Sequence, residues 1–167
     1  IGYLPEDRKR QGVVDSASVG SNIKMSSLTK LVKGLVIDRQ KESDMVNDII
    51  KRLAIKTPTA DTLVCNMSGG NAQKCVLGRW IAADSEILIL DEATQGIDVE
   101  AKTQIYHIMD ELAKKGKAII FISSDLSEVI GISDRILTMH HGKVVNITDG
   151  KKVERNRILW EATVGTK

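Results

Sequence analysis

The sequence predicts an α/β protein in which helices cover a parallel β-sheet. Two short runs that are almost wholly apolar, Ile87–Leu90 and Ala118–Ser123, carry this prediction. Such runs are typical of strands that are buried on both faces, as in a parallel sheet between helices. The segment between them has apolar residues at helical spacing, with Asp98 as a candidate N-cap and Gly116 at its end. Strand, helix and strand together predict a β–α–β crossover.

The rest of the chain alternates between extended and helical patterns. Ile1–Leu4 is predicted to end a strand that Pro5 terminates, and the charge run Glu6–Arg10 is predicted to be a solvated loop. Apolar residues at helical spacing behind a candidate N-cap predict a helix over Asp38–Ala54. A hairpin around His141–Gly142 and two further helices complete the pattern. The two helices are predicted over Asp125–Ile130 and Val153–Ala162. The two strands of the hairpin are predicted over Arg135–His140 and Lys143–Thr148.

Length and composition limit the possible classes of protein. The chain has 167 residues, a formal net charge of +2, 42% hydrophobic residues and 3% aromatic residues. This is enough for one domain with a core, and interleaved charges with few aromatic residues disfavour a nucleic-acid partner. No apolar run approaches the roughly 20 residues of a membrane helix. The opening residues fit neither a signal peptide nor an initiator sequence, so we expect a piece of a longer protein. Cys65 and Cys75 lack metal-site spacing, which predicts two free thiols.

Two carboxylates, Asp91 and Glu92, directly follow the first apolar run. Open α/β sheets bind their ligands at the carboxyl ends of the strands. In a phosphate-handling site, the first acid can hold Mg²⁺ and the second can polarise the attacking water. A strand that merely ends in an acidic turn has the same pattern, so these residues alone leave both interpretations open.

A pair of glycines, Gly69 and Gly70, opens a predicted helix for which Ser68 is the candidate N-cap. Paired glycines let the backbone approach a ligand closely, and the N–H groups of a helix start favour an anion. A capped turn without a ligand explains the same three residues. The segment by itself therefore only permits a phosphate site.

Taken together, these segments resemble a known family. Ser-Gly-Gly-Asn at a helix start, followed by ILILDEATQGID, resembles the signature motif and the Walker B strand of ABC ATPases. Over essentially the whole chain, YLPEDRKRQGVV, NMSGGNAQKCVLGRWIA, LDEATQGIDVEAK and ISSDLSEVIGISDRIL are similar to the second nucleotide-binding domain of bacterial sugar-import ABC ATPases, of the ribose, xylose and galactose type. The resemblance implies a P-loop NTPase core, truncated at its N-terminus before the Q-loop. It also implies a helical subdomain with the signature (7–83), a sheet half (84–150) and a C-terminal helix (151–167).

The resemblance implies ATP and Mg²⁺ as cofactors, shared between two domains. The signature residues are expected to grip the γ-phosphate of an ATP molecule that the opposite domain holds. Asn is usual in this subfamily where most ABC proteins have Gln. Closure of the two domains on ATP would then drive a change in the transporter. The signature residues are Ser68, Gly69, Gly70 and Asn71.

The other matching residues also acquire roles from the resemblance. Asp91 is expected to support Mg²⁺ through water, and Glu92 is expected to be the general base. Asp98 lies in the D-loop, which contacts the partner domain. Glu6 stands where other ABC proteins have the Gln of the Q-loop, which relays to the membrane subunits.

Two departures from the family pattern predict limited activity. No GxxxxGK[ST] loop, or Walker A motif, is present among the 167 residues, so we expect this piece alone to bind ATP weakly and to be inactive. Ser124 stands in the place of the switch histidine of ABC ATPases. Because a hydroxyl group carries no charge and does not titrate near neutrality, we expect the site on this domain's own side to be impaired.

The resemblance also implies partners and a location. The expected partners are the first ATPase domain of the same chain or a second copy, membrane permease subunits and, indirectly, a sugar-binding protein. The expected location is cytoplasmic, peripheral on the inner face of the cell membrane. One alternative is a non-catalytic regulatory half-domain that only supplies a signature. Another is a non-transport ABC ATPase, although only about sixty residues separate Glu6 from Ser68, without room for a long coiled coil.

Overall fold

The computed structural model describes residues 1–33, 36–150 and 153–165. The chain divides into two units, Ile1–Ile120 and Phe121–Lys167. Within the described ranges, no helix is both long and apolar enough to cross a membrane. The predicted boundaries at residues 7–83, 84–150 and 151–167 stay predictions, and residues 151–152 and 166–167 of the last range lie outside the described residues.

Seven α-helices are described, and the first five belong to the first unit. Helix α3 confirms the helix predicted over Asp38–Ala54, because the Asp38 side chain accepts a hydrogen bond from the Lys41 N–H at 3.0 Å. The helices are α1 (Val19–Lys24), α2 (Leu28–Leu31), α3 (Arg39–Arg52), α4 (Gly69–Ala82), α5 (Val99–Lys114), α6 (Leu126–Ile132) and α7 (Arg155–Val164).

The described strands form three small sheets. The first has the order β1-β4-β5, and β1 runs parallel to β4 with Tyr3 opposite Ile89. As predicted, a helix, α5, connects β4 to β5. The pairs β2-β3 and β6-β7 are antiparallel. The strands are β1 (Gly2–Leu4), β2 (Val32–Lys33), β3 (Val36–Ile37), β4 (Ile87–Asp91), β5 (Ala118–Ile122), β6 (Arg135–His140) and β7 (Lys143–Asp149).

Strand β4 is buried on one face rather than on both, which corrects the sequence prediction. Leu88 and Leu90 are buried, whereas Ile87 and Ile89 are only half-buried. Helix α4 covers the buried face. Gly2 of β1 pairs with Leu88 of β4, and a Cβ built on Gly2 would lie 2.9 Å from Leu88 and 2.7 Å from the ring of Trp80 in α4. The residues that alternate with them point to the face that this helix does not cover.

Helix α4 is the centre of the first unit and packs against α1, α3 and β1. Gly78 makes the close approach to α3 possible, because a Cβ there would lie 2.7 Å from Ile49 Cγ2. On the α1 side, the buried Arg79 donates from Nε to the Asn22 carbonyl at 2.9 Å and from Nη2 to its side-chain oxygen at 3.1 Å. These contacts hold the helix that begins at the glycine pair.

The second unit is built from α6, the predicted hairpin and α7. His141 (φ 46°) and Gly142 (φ 75°) both adopt left-handed conformations, as a two-residue hairpin turn requires. Helix α7 packs on the hairpin and buries Glu161. The Glu161 carboxylate accepts hydrogen bonds from Asn146 Nδ2 at 2.8 Å and Arg157 Nε at 2.9 Å.

Candidate functional site

Asp91 lies at the carboxyl end of β4, beside the end of the parallel strand β1. The Tyr3 hydroxyl donates a hydrogen bond to Asp91 Oδ2 at 2.9 Å. This bond raises the pKa of Tyr3, and burial and the negative charges of Asp91 and Glu6 raise it further. Glu6 follows β1 and is exposed. The strand ends therefore bring Asp91 and Glu6 to the same tyrosine.

Glu92 begins a strained turn directly after β4. Its φ is 46°, a left-handed conformation that is uncommon for a residue other than glycine and costs about 1–3 kcal/mol. The turn closes with a hydrogen bond from the Gln95 N–H to the Glu92 carbonyl at 3.0 Å, and Ala93 and Thr94 between them are buried. Strain of this kind persists only where the surrounding structure imposes it, and it often marks functional residues.

The signature segment begins α4, and its polar side chains are bound within the chain. Ser68 occupies the predicted N-cap position, but its hydroxyl makes no capping bond to the helix backbone. Instead, Asn71 Nδ2 donates to Ser68 Oγ at 2.9 Å, and Asn71 Oδ1 accepts from the Lys56 N–H at 2.8 Å. Asn71 thus ties the signature segment to the loop that follows α3.

Both glycines of the signature have close neighbours inside the chain. A Cβ on Gly69 would lie 2.6 Å from Arg8 Nη2, and one on Gly70 would lie 3.0 Å from the Ala101 Cβ in α5. Gly69 is half-buried and Gly70 is buried, whereas Ser68 is exposed. Packing against α5 therefore disfavours a side chain at Gly70, whereas at Gly69 the close neighbour is the flexible end of the Arg8 side chain.

Four of the residues predicted to contact ATP line one shallow depression at the starts of α4 and α5. They are Ser68, Gly70, Asn71 and Asp98. Asp98 caps α5 by accepting a hydrogen bond from the Ala101 N–H at 2.9 Å, and this bond lowers the pKa of the Asp98 carboxyl. Among the described residues that line the depression, neither Asp91 nor Glu92 is found.

Two lysines that the sequence analysis missed also line this depression. Lys74 is 2% exposed, and its ammonium donates to the Ala54 carbonyl at 3.0 Å and to Gln104. Burial lowers the pKa of Lys74, and the nearby charge of Lys56 lowers it further. Lys56 itself lies 3.5 Å from a Glu100 oxygen. Lys74 stands four residues beyond the glycine pair in the same motif, which is the signal that could have indicated it.

Arg8 was also missed, because the sequence analysis assigned Glu6–Arg10 to a solvated loop. For Arg8 that prediction is wrong, since the chain forms a π-helical turn over Arg8–Gly12 behind Asp7 as N-cap. Arg8 Nη1 donates to the Gln95 carbonyl at 3.1 Å. The solvated-loop prediction failed because a partner 87 positions away along the chain leaves no local signal.

Ser124 lies in the second unit, exposed, in the turn between β5 and α6. Its neighbour Ser123 organises this turn, accepting from the Asp125 N–H at 3.1 Å and donating to Glu128 Oε2 at 3.0 Å. Asp125 is the N-cap of α6, which confirms the helix predicted over Asp125–Ile130. The switch role of Ser124 stays a prediction.

The donor chemistry at Asp91 fits Mg²⁺. Magnesium prefers hard oxygen ligands and commonly takes one or two carboxylates, completing its shell with water and phosphate oxygens. Within the described ranges, no group of three or more His, Cys, Asp or Glu side chains is placed to hold a metal. The Asp91 carboxylate therefore fits a magnesium site in which water and phosphate oxygens supply the remaining ligands.

The chain is similar in sequence to several bacterial ribose and xylose import ATP-binding proteins. Ribose import ATP-binding protein RbsA of Clostridium tetani is 45% identical over 160 residues, which is 95% of this chain and 32% of that protein. Xylose import ATP-binding protein XylG of Photobacterium profundum is 48% identical over 144 residues, 86% of this chain and 28% of that protein. RbsA of Bacillus subtilis is 40% identical over 165 residues, 99% of this chain and 34% of that protein. The chain thus spans about a third of the length of these relatives.

The fold also has a counterpart among solved structures. A chain of a putative metal-chelate type ABC transporter in an inward-facing conformation superposes with a TM-score of 0.79 at 17% identity, covering 96% of this chain and 63% of that one. This likeness supports the fold, which is an α/β P-loop NTPase core of the ABC ATPase type. The profile of the ABC transporter family matches residues 1–95, more than half of the 167 residues, and the chain therefore belongs to the ABC transporter family.

Proposed function

We propose that this chain is part of the second nucleotide-binding domain of an ATPase that powers the import of a monosaccharide. The observation that carries the proposal is the depression in which Ser68, Gly70, Asn71 and Asp98 meet, because it joins the signature motif to the D-loop. The ribose and xylose import proteins that match the chain support the substrate class. The partners are another ATPase domain, in the same chain or a second copy, and permease subunits fed by a sugar-binding protein. The domain works on the cytoplasmic face of the membrane.

The signature residues bind ATP that the partner domain holds. The start of α4 carries backbone N–H groups that have no partner within the helix, together with the positive end of the helix dipole, and both favour a terminal phosphate. Lys56 and Lys74 line the same depression, where the carboxylates of Asp98 and Glu100 offset their charges. The Ser68 hydroxyl is exposed and can donate to a phosphate oxygen while it accepts from Asn71. This side of the chain therefore completes a nucleotide site in trans.

The strand-end acids serve the site on this domain's own side. Asp91 would hold Mg²⁺ while the Tyr3 hydroxyl orients its carboxylate, and the ion would supply positive charge to offset that of the phosphates. Glu92 accepts a proton from the attacking water. Ser124 stands where ABC ATPases have the switch histidine and carries no charge, which is expected to weaken hydrolysis by this domain. The same feature favours a second candidate function, a regulatory half-domain that supplies the signature without hydrolysing ATP itself.

Turnover by the full-length protein distinguishes these roles. Ser68→Arg places a bulky side chain at the signature and is expected to lower ATPase activity at least about 100-fold, as loss of transition-state contacts does. Glu92→Gln is expected to cost much less than the equivalent change in the first domain. Ser43→Arg, at an exposed position of α3, is the matched control and should leave activity intact. Equal losses from the two glutamate changes would contradict the asymmetry, and full activity in Ser68→Arg would contradict the proposed function.

The 167 residues alone should bind Mg-ATP weakly, because the phosphate loop is absent from them. Isothermal titration calorimetry of this piece is expected to show no affinity in the micromolar range. A micromolar dissociation constant would show that the signature and the strand-end acids suffice for binding.

A further inference from the structure

Arg8 connects the signature motif to the D-loop inside the first unit. Its Nη1 donates to the carbonyl of Gln95 at 3.1 Å. Its Nη2 lies so close to Gly69 that a Cβ there would be only 2.6 Å away, and a Cβ on Gly96 would be 3.9 Å away. One guanidinium group therefore contacts the start of α4 and the loop that follows Glu92.

The backbone around Arg8 is held by several hydrogen bonds. The Val13 N–H donates to the Arg8 carbonyl at 2.8 Å, and the Gln11 N–H donates to the Asp7 carbonyl at 2.9 Å. Asp7 also accepts from the Arg10 N–H at 3.2 Å through its side chain. Because these hydrogen bonds hold both ends of the π-helical turn, the position of the Arg8 side chain depends on the segment that starts at Glu6.

We propose that Arg8 is a positioning residue that holds the signature motif and the D-loop in one fixed arrangement. The inference rests on the proposed function, in which these two motifs act on the same nucleotide. The Gln95 N–H is bonded in turn to the Glu92 carbonyl at 3.0 Å. Arg8 thus links the segment after Glu6, the signature glycines and the turn that carries the general base.

The contact requires arginine and glycine together. A planar guanidinium presents several N–H donors in a rigid fork, whereas a lysine ammonium is a single compact charge. Only the fork can donate to Gln95 with one nitrogen while the other lies against Gly69. Any residue larger than glycine at position 69 would force the guanidinium to move from its place against the start of α4.

Turnover of the full-length protein tests the positioning role. Arg8→Lys keeps the charge and the apolar stem, and we expect kcat to fall at least about tenfold, within the 100-fold that a small misplacement of catalytic groups can cost. The KM for ATP should change by less than about threefold, since the partner domain holds the nucleotide. The thermal midpoint should stay within about 2 °C of the unchanged protein. Arg10→Ala is the matched control, because Arg10 is exposed in the same turn and its bond to Asp7 comes from the backbone.

A double-mutant cycle adds a readout other than activity. Gly69→Ala should lower the thermal midpoint of the full-length protein by a small, measurable amount when Arg8 is present, because the guanidinium must move away from the new methyl group and lose its bond to Gln95. In an Arg8→Ala background the same change should cost much less, so that the two effects are not additive. Additive midpoint shifts would overturn the contact.

The possible outcomes separate this inference from the proposed function. Loss of turnover in Arg8→Lys, with normal folding and an active Arg10→Ala control, supports the positioning role. Normal turnover in Arg8→Lys, or an equal loss in Arg10→Ala, overturns it. If Ser68→Arg abolishes turnover while Arg8→Lys does not, only the inference about Arg8 fails. If Ser68→Arg is fully active, the proposed function fails as well.

Discussion

Replacing Gly78 by alanine should destabilise the first unit, although alanine is the better helix former. Gly78 lies inside α4, where that helix crosses α3. A Cβ there would lie 2.7 Å from Ile49 Cγ2, 3.2 Å from Leu53 Cδ1 and 3.6 Å from Ile23 Cγ1. The first distance is far below van der Waals contact, and Ile49 is a β-branched residue with one preferred rotamer in a helix. Its methyl group therefore cannot turn away easily.

The size of the effect follows from two opposing contributions. Inserting a methyl group into a packed core costs about 1–3 kcal/mol. Replacing glycine by alanine inside a helix returns about 1 kcal/mol. We therefore expect Gly78→Ala to lower the free energy of unfolding by up to about 2 kcal/mol, the difference between these contributions.

Urea unfolding of the 167-residue chain measures this difference. The chain has two tryptophans, so a Trp160→Phe background leaves Trp80, in α4, as the only fluorescence reporter. Gly131→Ala in α6 is a matched control, because among the described residues no atom lies within 4 Å of the Cβ it would add. Followed by far-UV circular dichroism, that change should stabilise its own unit by about 0.5 kcal/mol.

A second substitution decides whether the collision with Ile49 is the cause. An Ile49→Ala background removes the 2.7 Å contact and leaves Leu53 Cδ1, the end of a flexible side chain, at 3.2 Å. There Gly78→Ala should cost much less or become stabilising. If Gly78→Ala stabilises the chain even when Ile49 is present, the close approach of α3 and α4 is refuted. If it destabilises both backgrounds equally, the cost lies elsewhere than at this contact.

Two further predictions concern titratable groups. Burial raises the pKa of the Cys75 thiol to about 12, whereas Cys65 is exposed. Iodoacetamide at pH 8 should therefore label only Cys65 in the folded chain and both thiols in urea. Two labelled thiols in the absence of urea would contradict the burial of Cys75. Since the folded pKa of Cys75 exceeds the unfolded one, its contribution to stability is complete below about pH 8.5 and is lost as the pH rises through about 12. The pKa of Tyr3 is raised by its hydrogen bond to Asp91, so an NMR titration should show it falling towards the ordinary value in Asp91→Asn. The stabilising contribution of the hydrogen bond from Tyr3 to Asp91 is fully present below about pH 10 and is lost as the pH rises through the raised pKa of Tyr3. An unchanged pKa of Tyr3 in Asp91→Asn would contradict the contact.

Local chemistry explains why most elements could be predicted. An aspartate at a helix start satisfies backbone N–H groups within its own turn, so Asp38 and Asp98 indicated two helix starts that the structure confirms. The hairpin turn at His141–Gly142 was predictable for a similar reason, since its conformation depends on those two residues. The burial of β4 was not, because what covers each face of a strand depends on segments distant in sequence.

In the candidate site, too, some features could be predicted from the sequence and others could not. The glycine pair and the strand-end acids could be found because each lies within a few consecutive residues. The contacts that organise them could not, since Tyr3 is 88 positions from Asp91 and Arg8 is 87 positions from Gln95. Neither pair has a spacing that a local pattern can indicate.

The sequence by itself determined the order of strands and helices, the family resemblance and the residues that are candidates for handling phosphate and metal. Only the tertiary structure decided that Arg8 contacts both loops, that Lys74 is buried beside them and that Asn71 is bound to the chain's own backbone. The physical reason is that capping and turn conformation depend on neighbours in sequence. Side-chain hydrogen bonds and burial instead depend on which distant segments the folded chain brings together.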